Sequence, residues 1–562
     1  MRKGIKYLVL GALLFCSILY ARKAEAAMVR INKTNFPDAL LRQELKTRDY
    51  NSDGELSDKE IRKIKEIELE AEKKGKYWKL NLRGISRLTS LKELSVSGLV
   101  IENREEMEKL RSLQKLDFYQ HQDVGIFDLG GMENVTDFKL RSQSAQGVVL
   151  KDNKKLKKLY LDFAFPKDFK EVDLCENPNL EELKLNVDLV EKFRIQNHGK
   201  LKAMELYVSQ QTVRVEKLPK LEELKVVGAK VEKLVVQDCL ALGTLWIQSC
   251  PFLQDLRFAR VDKLWKVQLS SPYNGEINIK KLDFSELSGL QVINVQSKAL
   301  EELILPRSGN LVSLYLGPTQ LKKLDLSQVP KLSLLSLKGS DIDKLDLTKV
   351  PQLEVLEIWR QKKVKKLDFS RLKKLKELHI SKMDRVKKLN LPNPKRLKEL
   401  SIYGCKSLKK INFNKMTNLK NLAVFENKRV KKLDIRKLKK LEHLTWQDGI
   451  LKKIVWGKKK NLETIDVSYN KISGTFDFRK FTELTKVWCD HNKLTRIYGG
   501  INLYTLRCEK NKLKKVDVRK AKHLWTLGCA GNKKARIYLY TTLDEGGVSA
   551  SATAKISYVK KY

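Results

Sequence analysis

The chain has 562 residues, 42% of them hydrophobic and 32% charged, with a formal net charge of +45. That length would ordinarily divide into several globular domains, and that charge makes a surface that attracts polyanions and repels cations. The eight cysteines are scattered, which argues against a disulfide framework and against a compact cysteine metal site.

Arg2, Lys3 and Lys6 form a positive start, Tyr7–Tyr20 is apolar, and Ala24-Glu25-Ala26 is a small-x-small cleavage site. Residues 1–26 therefore read as a signal peptide, with Ala27 as the mature start. The apolar run is short for a span, and no later run is long enough to cross a bilayer. The protein is expected to be secreted or held at the cell surface, without a transmembrane segment after cleavage. Cys16 does not suit a lipoprotein anchor, because Phe15 stands where a small residue is needed.

Residues 27–76 read as a small helical cap. Pro37 suits a helix first turn, and Leu40, Leu41 and Leu45 share one helical face. The segment Asp49-Tyr50-Asn51-Ser52-Asp53-Gly54-Glu55-Leu56-Ser57-Asp58-Lys59-Glu60 then matches the calcium-loop pattern D-x-[DN]-x-[DN]-G-x5-E. Asp49, Asn51 and Asp53 supply side-chain oxygens, and Gly54 allows the sharp turn. Glu55 offers its carbonyl, Ser57 reaches the ion directly or through water, and Glu60 closes the shell with two oxygens. Such loops usually come in pairs, so a single one is expected to be a structural calcium clip of EF-hand type. Ile61, Ile64 and Ile67 are expected to continue the exiting helix.

From residue 77 to 534 the chain repeats. Leu332-x-x-Leu335-x-Leu337 is followed by Ile342-x-x-Leu345-x-Leu347, and the pattern restarts at Leu353, 21 residues after Leu332. A unit this short can bury two apolar ladders only by stacking on copies of itself. About 21 such units can be counted between Leu91 and Leu524. The turn cluster Ser271-Pro272-Tyr273-Asn274-Gly275 interrupts them and is expected to project as a loop. Residues 535–562 are expected to form a terminal cap or a tail.

The last units read L484-T-K-V487-W-C489-D-H-N492, L503-Y-T-L506-R-C508-E-K-N511 and L524-W-T-L527-G-C529-A-G-N532. They resemble the leucine-rich-repeat consensus L-x-x-L-x-L/C-x-x-N-x-L. The implied fold class is an α/β-type or mainly-β solenoid, a leucine-rich-repeat horseshoe or superhelix with a small helical N-terminal cap. The resemblance also implies that the first ladder is the concave strand and that the Asn bonds backbone along an inner ladder. Most middle units lack that Asn, as in Leu353–Val364. The leader, the I-N-x-x-N-F-P-D opening at Ile31–Asp38, the calcium loop and the repeats together resemble secreted, internalin-like proteins of Gram-positive bacteria. The family resemblance implies a non-enzymatic protein that binds an extracellular protein or glycan.

Side chains alternate along a strand, so residues flanking the first-ladder leucines face away from the core. One column holds Tyr160, Trp246, Tyr315, His379 and Trp488, and the next holds Tyr119, Tyr207, Trp359, Tyr403 and Phe425. Large aromatics on a solvent-facing sheet suit partner binding, although cross-strand pairing would also place them there. Charge on these columns is balanced, so the positive excess lies elsewhere. It lies beside the second ladder, at Lys322-Lys323, Asp343-Lys344, Lys365-Lys366, Lys387-Lys388, Lys409-Lys410, Lys431-Lys432 and Lys452-Lys453. Asp325, Asp346, Asp368 and Asp434 are two residues from a lysine and are expected to temper this stripe. It reads either as a solvated face or as a dock for an anionic cell-wall polymer. Export makes nucleic acid a poor physiological partner.

No catalytic pattern stands out. The six histidines are isolated and no phosphate-binding loop or nucleophile elbow is present. The cysteines Cys489, Cys508 and Cys529 fall on last-ladder positions, where buried apolar thiols are expected.

Overall fold

A computed structural model describes residues 28–71, 78–151, 153–164, 171–187, 192–195, 198–270, 277–389, 394–540, 547–550 and 555–559. The signal peptide and the Ser271–Gly275 loop expected from the sequence lie outside these residues. The chain divides into two compact units, Met1–Gly243 with Arg257–Val261, and Thr244–Leu256 with Asp262–Tyr562.

The first unit starts with the cap. Asp38 caps the helix Ala39–Lys46 by accepting from the Leu40 and Leu41 amides, and Leu41 and Leu45 are buried. Ser57 and Glu60 form a reciprocal capping box on the helix Asp58–Lys63. Between them the strand Glu55–Leu56 pairs antiparallel with Val29–Arg30. That pairing covers the strand edge which a second calcium loop would otherwise take. The exiting helix does not reach Ile67: Glu66–Glu70 is already a strand, paired in parallel with Glu93–Ser97. The reason is local, because Glu66-Ile67-Glu68-Leu69-Glu70 alternates with period two, exposed and buried in turn.

Parallel pairing then continues through Lys115–Asp123, Asp137–Ser144, Lys158–Phe163, Glu182–Val187, Ala203–Tyr207 and Glu223–Val227. The second unit repeats the plan from Thr244–Gln248 to Val548–Ala550. The result is a parallel β-solenoid of about 21 turns with few helices. The ladder leucines are its core: Leu91, Leu113, Leu156, Leu264, Leu332, Leu353 and Leu462 are all fully buried. A second set of short parallel strands lines the other wall, such as Lys432–Asp434 against Lys453–Val455. Beyond Asn532 both walls continue, with Val548–Ala550 paired to Thr526–Cys529 and Lys555–Val559 to Arg536–Tyr540.

Two corner devices recur in the second unit. The first is a residue in the left-handed region at the end of the long-sheet strand, directly after it at Gly339, Arg360, Lys382, Gly404, Glu426 and Asp448 and two or three residues on at Tyr469, His491, Lys510 and Gly531. Its amide still reaches the neighbouring turn, as Arg360 N does to Ser381 O at 2.9 Å and Lys382 N to Tyr403 O at 2.7 Å. The second is the Asn ladder. Asn492 donates to the Val467 carbonyl at 2.9 Å and accepts from the Ile472 amide at 2.9 Å. Asn470, Asn511 and Asn532 repeat these bonds, as the consensus implies. At the same offset, Thr319, Ser340, Gln361, Met383 and Cys405 replace the Asn.

Candidate functional site

A groove opens along these five turns. It lies in the second unit, along the C-terminal ends of the long-sheet strands, with a volume of about 1110 Å³. Lys338, Trp359, Ser381, Tyr403 and Phe425 stand in register on adjacent strands and contribute one side. Glu357, His379 and Ser401 line it one step along those strands, and Thr319, Ser340, Asp341, Arg360, Lys362 and Lys382 line it from the corners. An Asn at the corner would bridge two turns by hydrogen bonds. Thr319 and Ser340 are shorter and leave that volume open.

The aromatic groups keep free surface here. Trp359 is 46% exposed and Tyr403 37% exposed. Lys338 Nζ lies 5.3 Å from the Trp359 ring centroid, so a cation covers one face of the indole. The strand on the other side offers only Ser381, which is small and buried. Lys382 Nζ lies 5.6 Å from the Tyr403 ring, and Phe425 packs against the same ring at 6.2 Å. The Tyr403 hydroxyl donates to Glu426 Oε1 at 2.8 Å, and that carboxylate raises the phenol pKa. Ser340 Oγ donates to Gln361 Oε1, and Gln361 Nε2 donates to the Trp359 carbonyl at 3.1 Å, which fixes the corner under the indole. The Thr319 side chain is 7% exposed and its hydroxyl has no hydrogen-bond partner.

Glu357 and His379 are directly opposite on adjacent strands, but they do not form an acid–base pair. Glu357 Oε2 accepts from Ser336 Oγ at 2.8 Å. His379 Nε2 lies 3.9 Å from both Glu377 Oε2 and Glu399 Oε1, beyond hydrogen-bond reach.

Four of the aromatic and histidine residues picked out from the sequence, Trp359, His379, Tyr403 and Phe425, thus meet in one groove. Trp246, Tyr315 and Trp488 lie elsewhere on the long sheet of the same unit and do not line it. Tyr119, Tyr160 and Tyr207 belong to the first unit, where their surroundings differ. Arg141 lies over Tyr119 at 5.0 Å, and Lys139 and Lys184 lie over Tyr160 at 5.6 and 5.0 Å. The Tyr160 hydroxyl donates to Asp162, and burial together with that bond pushes its pKa up to about 12. Glu205 accepts from Tyr207 and binds Lys184 and Lys225. Burial alone would raise its carboxyl, but those three partners bring it below the ordinary range.

The corner residues Arg360, Lys362 and Lys382 and the orphaned hydroxyl of Thr319 are not visible in the two aromatic columns. The signal for them was the missing Asn itself, together with bulky residues at an offset where glycine also occurs.

In the calcium-type loop, Gly54 turns through φ 82°. Asp49 accepts from the Asp53 and Gly54 amides, and Asp53 accepts from Asn51 Nδ2 and the Glu55 amide. Glu55 pairs with Arg30 at 2.8 Å. Glu60 accepts from the Ser57 hydroxyl and amide and from the Tyr50 amide, and these bonds, the Ser57 hydroxyl foremost, hold its carboxyl below the usual range. The donor types are those calcium takes, but among the described residues no three acidic, histidine or cysteine side chains converge on one point.

On the other wall, Lys322, Lys365, Lys387, Lys409, Lys431 and Lys452 are all exposed, as are Lys323, Lys344, Lys366, Lys388, Lys410, Lys432 and Lys453. The register stacks Lys388 on Lys410 and Lys432 on Lys453. The nearby aspartates do not pair with them. Asp325, Asp346 and Asp368 each accept from the amide two residues on, at Ser327, Thr348 and Ser370. Asp434 pairs with Arg436 at 2.7 Å, which holds its carboxyl down to about 2. Each carboxylate bonds the start of its own turn and none forms a direct ion pair with a stripe lysine, but its charge stays close enough for Lys344, Lys366 and Lys432 to add to those bonds in lowering the pKa of Asp346, Asp368 and Asp434. The only ion pair beside it is Lys363 with Asp343, at 3.8 Å, among the described residues.

Cys489, Cys508 and Cys529 are fully buried, and burial pushes the Cys489 thiol well above its usual pKa. No helix among the described residues is long and apolar enough to cross a membrane. No family model matches the chain, and no curated protein is significantly similar to it. Solved structures do show likeness. The functional domain of InlJ from Listeria monocytogenes, described with a cysteine ladder, is 14% identical, with 92% of this chain and 83% of that chain covered and a TM-score of 0.27. YopM from Yersinia enterocolitica is 15% identical over 89% and 92%, with a TM-score of 0.41. The Toll–Spatzle complex of Drosophila matches at 15% over 80% and 61%, with a TM-score of 0.48. At these scores the likeness carries nothing about function. By its repeat and its parallel solenoid, the chain has the leucine-rich-repeat fold.

Proposed function

We propose that this is an exported, non-enzymatic binding protein that holds an extracellular protein or glycan in the groove of its second unit. The observation that carries this reading is the exposed indole of Trp359, with one face covered by Lys338 and the other bordered only by Ser381. An aromatic ring held stiffly by its neighbours yet left half bare is the usual anchor of a binding surface. The test is a combined glycan-array and pull-down screen with the intact chain and with Trp359→Ala. The reading expects hits that the variant loses with an unchanged melting temperature. Hits that survive the substitution undiminished would place binding elsewhere.

A second surface has its own support. Thirteen exposed lysines, with Lys388 stacked on Lys410 and Lys432 on Lys453 and none in a direct ion pair among the described residues, suit an anionic cell-wall polymer. Reversing Lys387, Lys409 and Lys431 to Glu is expected to release the protein from wall preparations at low salt. Salt-independent retention would contradict this.

The calcium clip belongs here too. Asp49, Asn51, Asp53, the Glu55 carbonyl, Ser57 and Glu60 would hold the ion, in competition with the amide bonds Asp49 and Glu60 make. Millimolar calcium should raise the melting temperature of the chain but not of Glu60→Gln. Equal melting with calcium and with chelator would exclude the clip.

A further inference from the structure

We infer that the groove takes a pyranose ring bearing a carboxylate, that is, one residue of an acidic polysaccharide. This rests on the groove being the binding face and names its ligand class. Three observations meet there. The first is the bare face of Trp359, opposite Ser381. A pyranose stacks its C–H face on an indole, and it needs the adjacent strand to leave room for its thickness. A serine leaves that room, whereas the neighbouring Tyr403 would close it.

The second is polarity. An apolar peptide anchor calls for a closed aliphatic pocket. This groove instead sets Ser381, Ser401, Asp341 and Glu357 among the apolar Pro318, Ile380, Tyr403 and Phe425 around its one free indole. Groups of both polarities around a ring platform are what a ring of hydroxyls requires.

The third is charge. Lys338, Arg360, Lys362 and Lys382 line the groove against the carboxylates Asp341 and Glu357. Arg360 and Lys382 both sit on left-handed corners, at φ 50° and 51°, which carries them past the strand end. The cationic excess selects a sugar carrying a carboxylate over its neutral counterpart. The volume of about 1110 Å³ is just above the range for small-ligand sites, roughly 300–1,000 Å³, and leaves space for more than one sugar residue.

The test is calorimetric titration of the intact chain with three probes: an oligogalacturonate, the same oligosaccharide with its carboxyls reduced to hydroxymethyl groups, and an oligoglutamate of equal charge. Each is run against the native chain, Trp359→Ala, Lys382→Gln, and a stripe variant with Lys387, Lys409 and Lys431 changed to Glu. The inference expects oligogalacturonate binding that falls at least tenfold on carboxyl reduction, on Trp359→Ala and on Lys382→Gln, and that the stripe variant leaves unchanged. Binding lost in the stripe variant but kept in Trp359→Ala would overturn it as general polyanion attraction. Trp359-dependent binding of oligoglutamate without oligogalacturonate would overturn the ligand class while sparing the groove. No Trp359-dependent binding of any probe, alongside screen hits that Trp359→Ala abolishes, would likewise overturn the ligand class alone.

Discussion

The long sheet of the first unit and the groove of the second carry the same kinds of residue in the same register, and they behave differently. In the first unit Tyr160 lies between Lys139 and Lys184, and Tyr207 between Lys184 and Lys225, with Asp162 and Glu205 accepting hydrogen bonds from the two hydroxyls. Each aromatic has its faces and its hydroxyl occupied by the protein itself. In the second unit Trp359 has a lysine on one side and a serine on the other. An aromatic column is therefore not a binding surface by residue type. What decides is whether the adjacent turn supplies a partner, and that is set by residues about one repeat away.

This contrast can be broken from either side. The largest effect is expected at Trp359→Ala: partner affinity should fall at least tenfold, or about 1.4 kcal/mol or more, with little change in thermal melting. Tyr160→Phe should leave affinity unchanged. A binding loss at Tyr160 and none at Trp359, read by titration, would invert the comparison.

The next largest effect concerns a buried cation. Lys459 occupies the ladder position that Leu438 and Phe481 fill in adjacent turns, and it is 2% exposed. Its amine donates to the Lys458 carbonyl at 3.2 Å, and burial pushes its pKa down to about 8 from the ordinary 10.5. The native fold thus favours the neutral amine, and its cost is full below pH 8 and fades as pH rises toward 10.5. Lys459→Met should stabilise the chain by roughly 1–2 kcal/mol at neutral pH, with the gain shrinking in alkali. Denaturant titrations at pH 7 and pH 10 measure this, and a constant difference would refute it.

A smaller loss is expected at Glu205→Ala, which leaves Lys184, Lys225 and Tyr207 without their acceptor. The site is partly exposed, so the cost should be about 1 kcal/mol. Glu357→Gln in the groove should cost less than about 0.5 kcal/mol, because only Ser336 bonds it. Equal costs would mean that the groove is as self-satisfied as the first unit.

The smallest effect lies in the cap. Glu60 titrates below its ordinary value in the fold because Ser57 and Tyr50 bond its charged form. Its contribution is present above the ordinary carboxylate pKa and is lost as pH falls through the lowered one. Glu60→Gln should lower the melting temperature slightly at neutral pH and flatten its fall on the acid side, where the native chain loses this contribution as well.

The solenoid was legible because the ladder residues repeat and nothing but stacking can bury them. Leu332, Leu335 and Leu337 read as a strand from spacing alone, and they are one. The Asn ladder from Asn470 to Asn532 was legible for the same reason. Ile67 misled because Ile61, Ile64 and Ile67 have helical spacing, while the alternation of Glu66–Glu70 prevailed over it. The aspartates near the lysine stripe were legible as nearby charge but not in their bonds: Asp346 takes the Thr348 amide while still feeling the Lys344 charge. The groove was half legible. Trp359 and Tyr403 stood out, but the left-handed corners at Arg360 and Lys382 depend on backbone angles that no residue type announces.

The most direct measurement is hydrogen–deuterium exchange of the intact chain with and without its best screened ligand. Protection should rise at the strand ends and corners around Lys338–Ser340, Trp359–Lys362, Ser381–Met383 and Tyr403–Cys405, while the strands Lys158–Phe163 and Ala203–Tyr207 stay unchanged. Protection confined to those first-unit strands would contradict the claim that the unpaired groove, and not the saturated sheet, is where this protein binds.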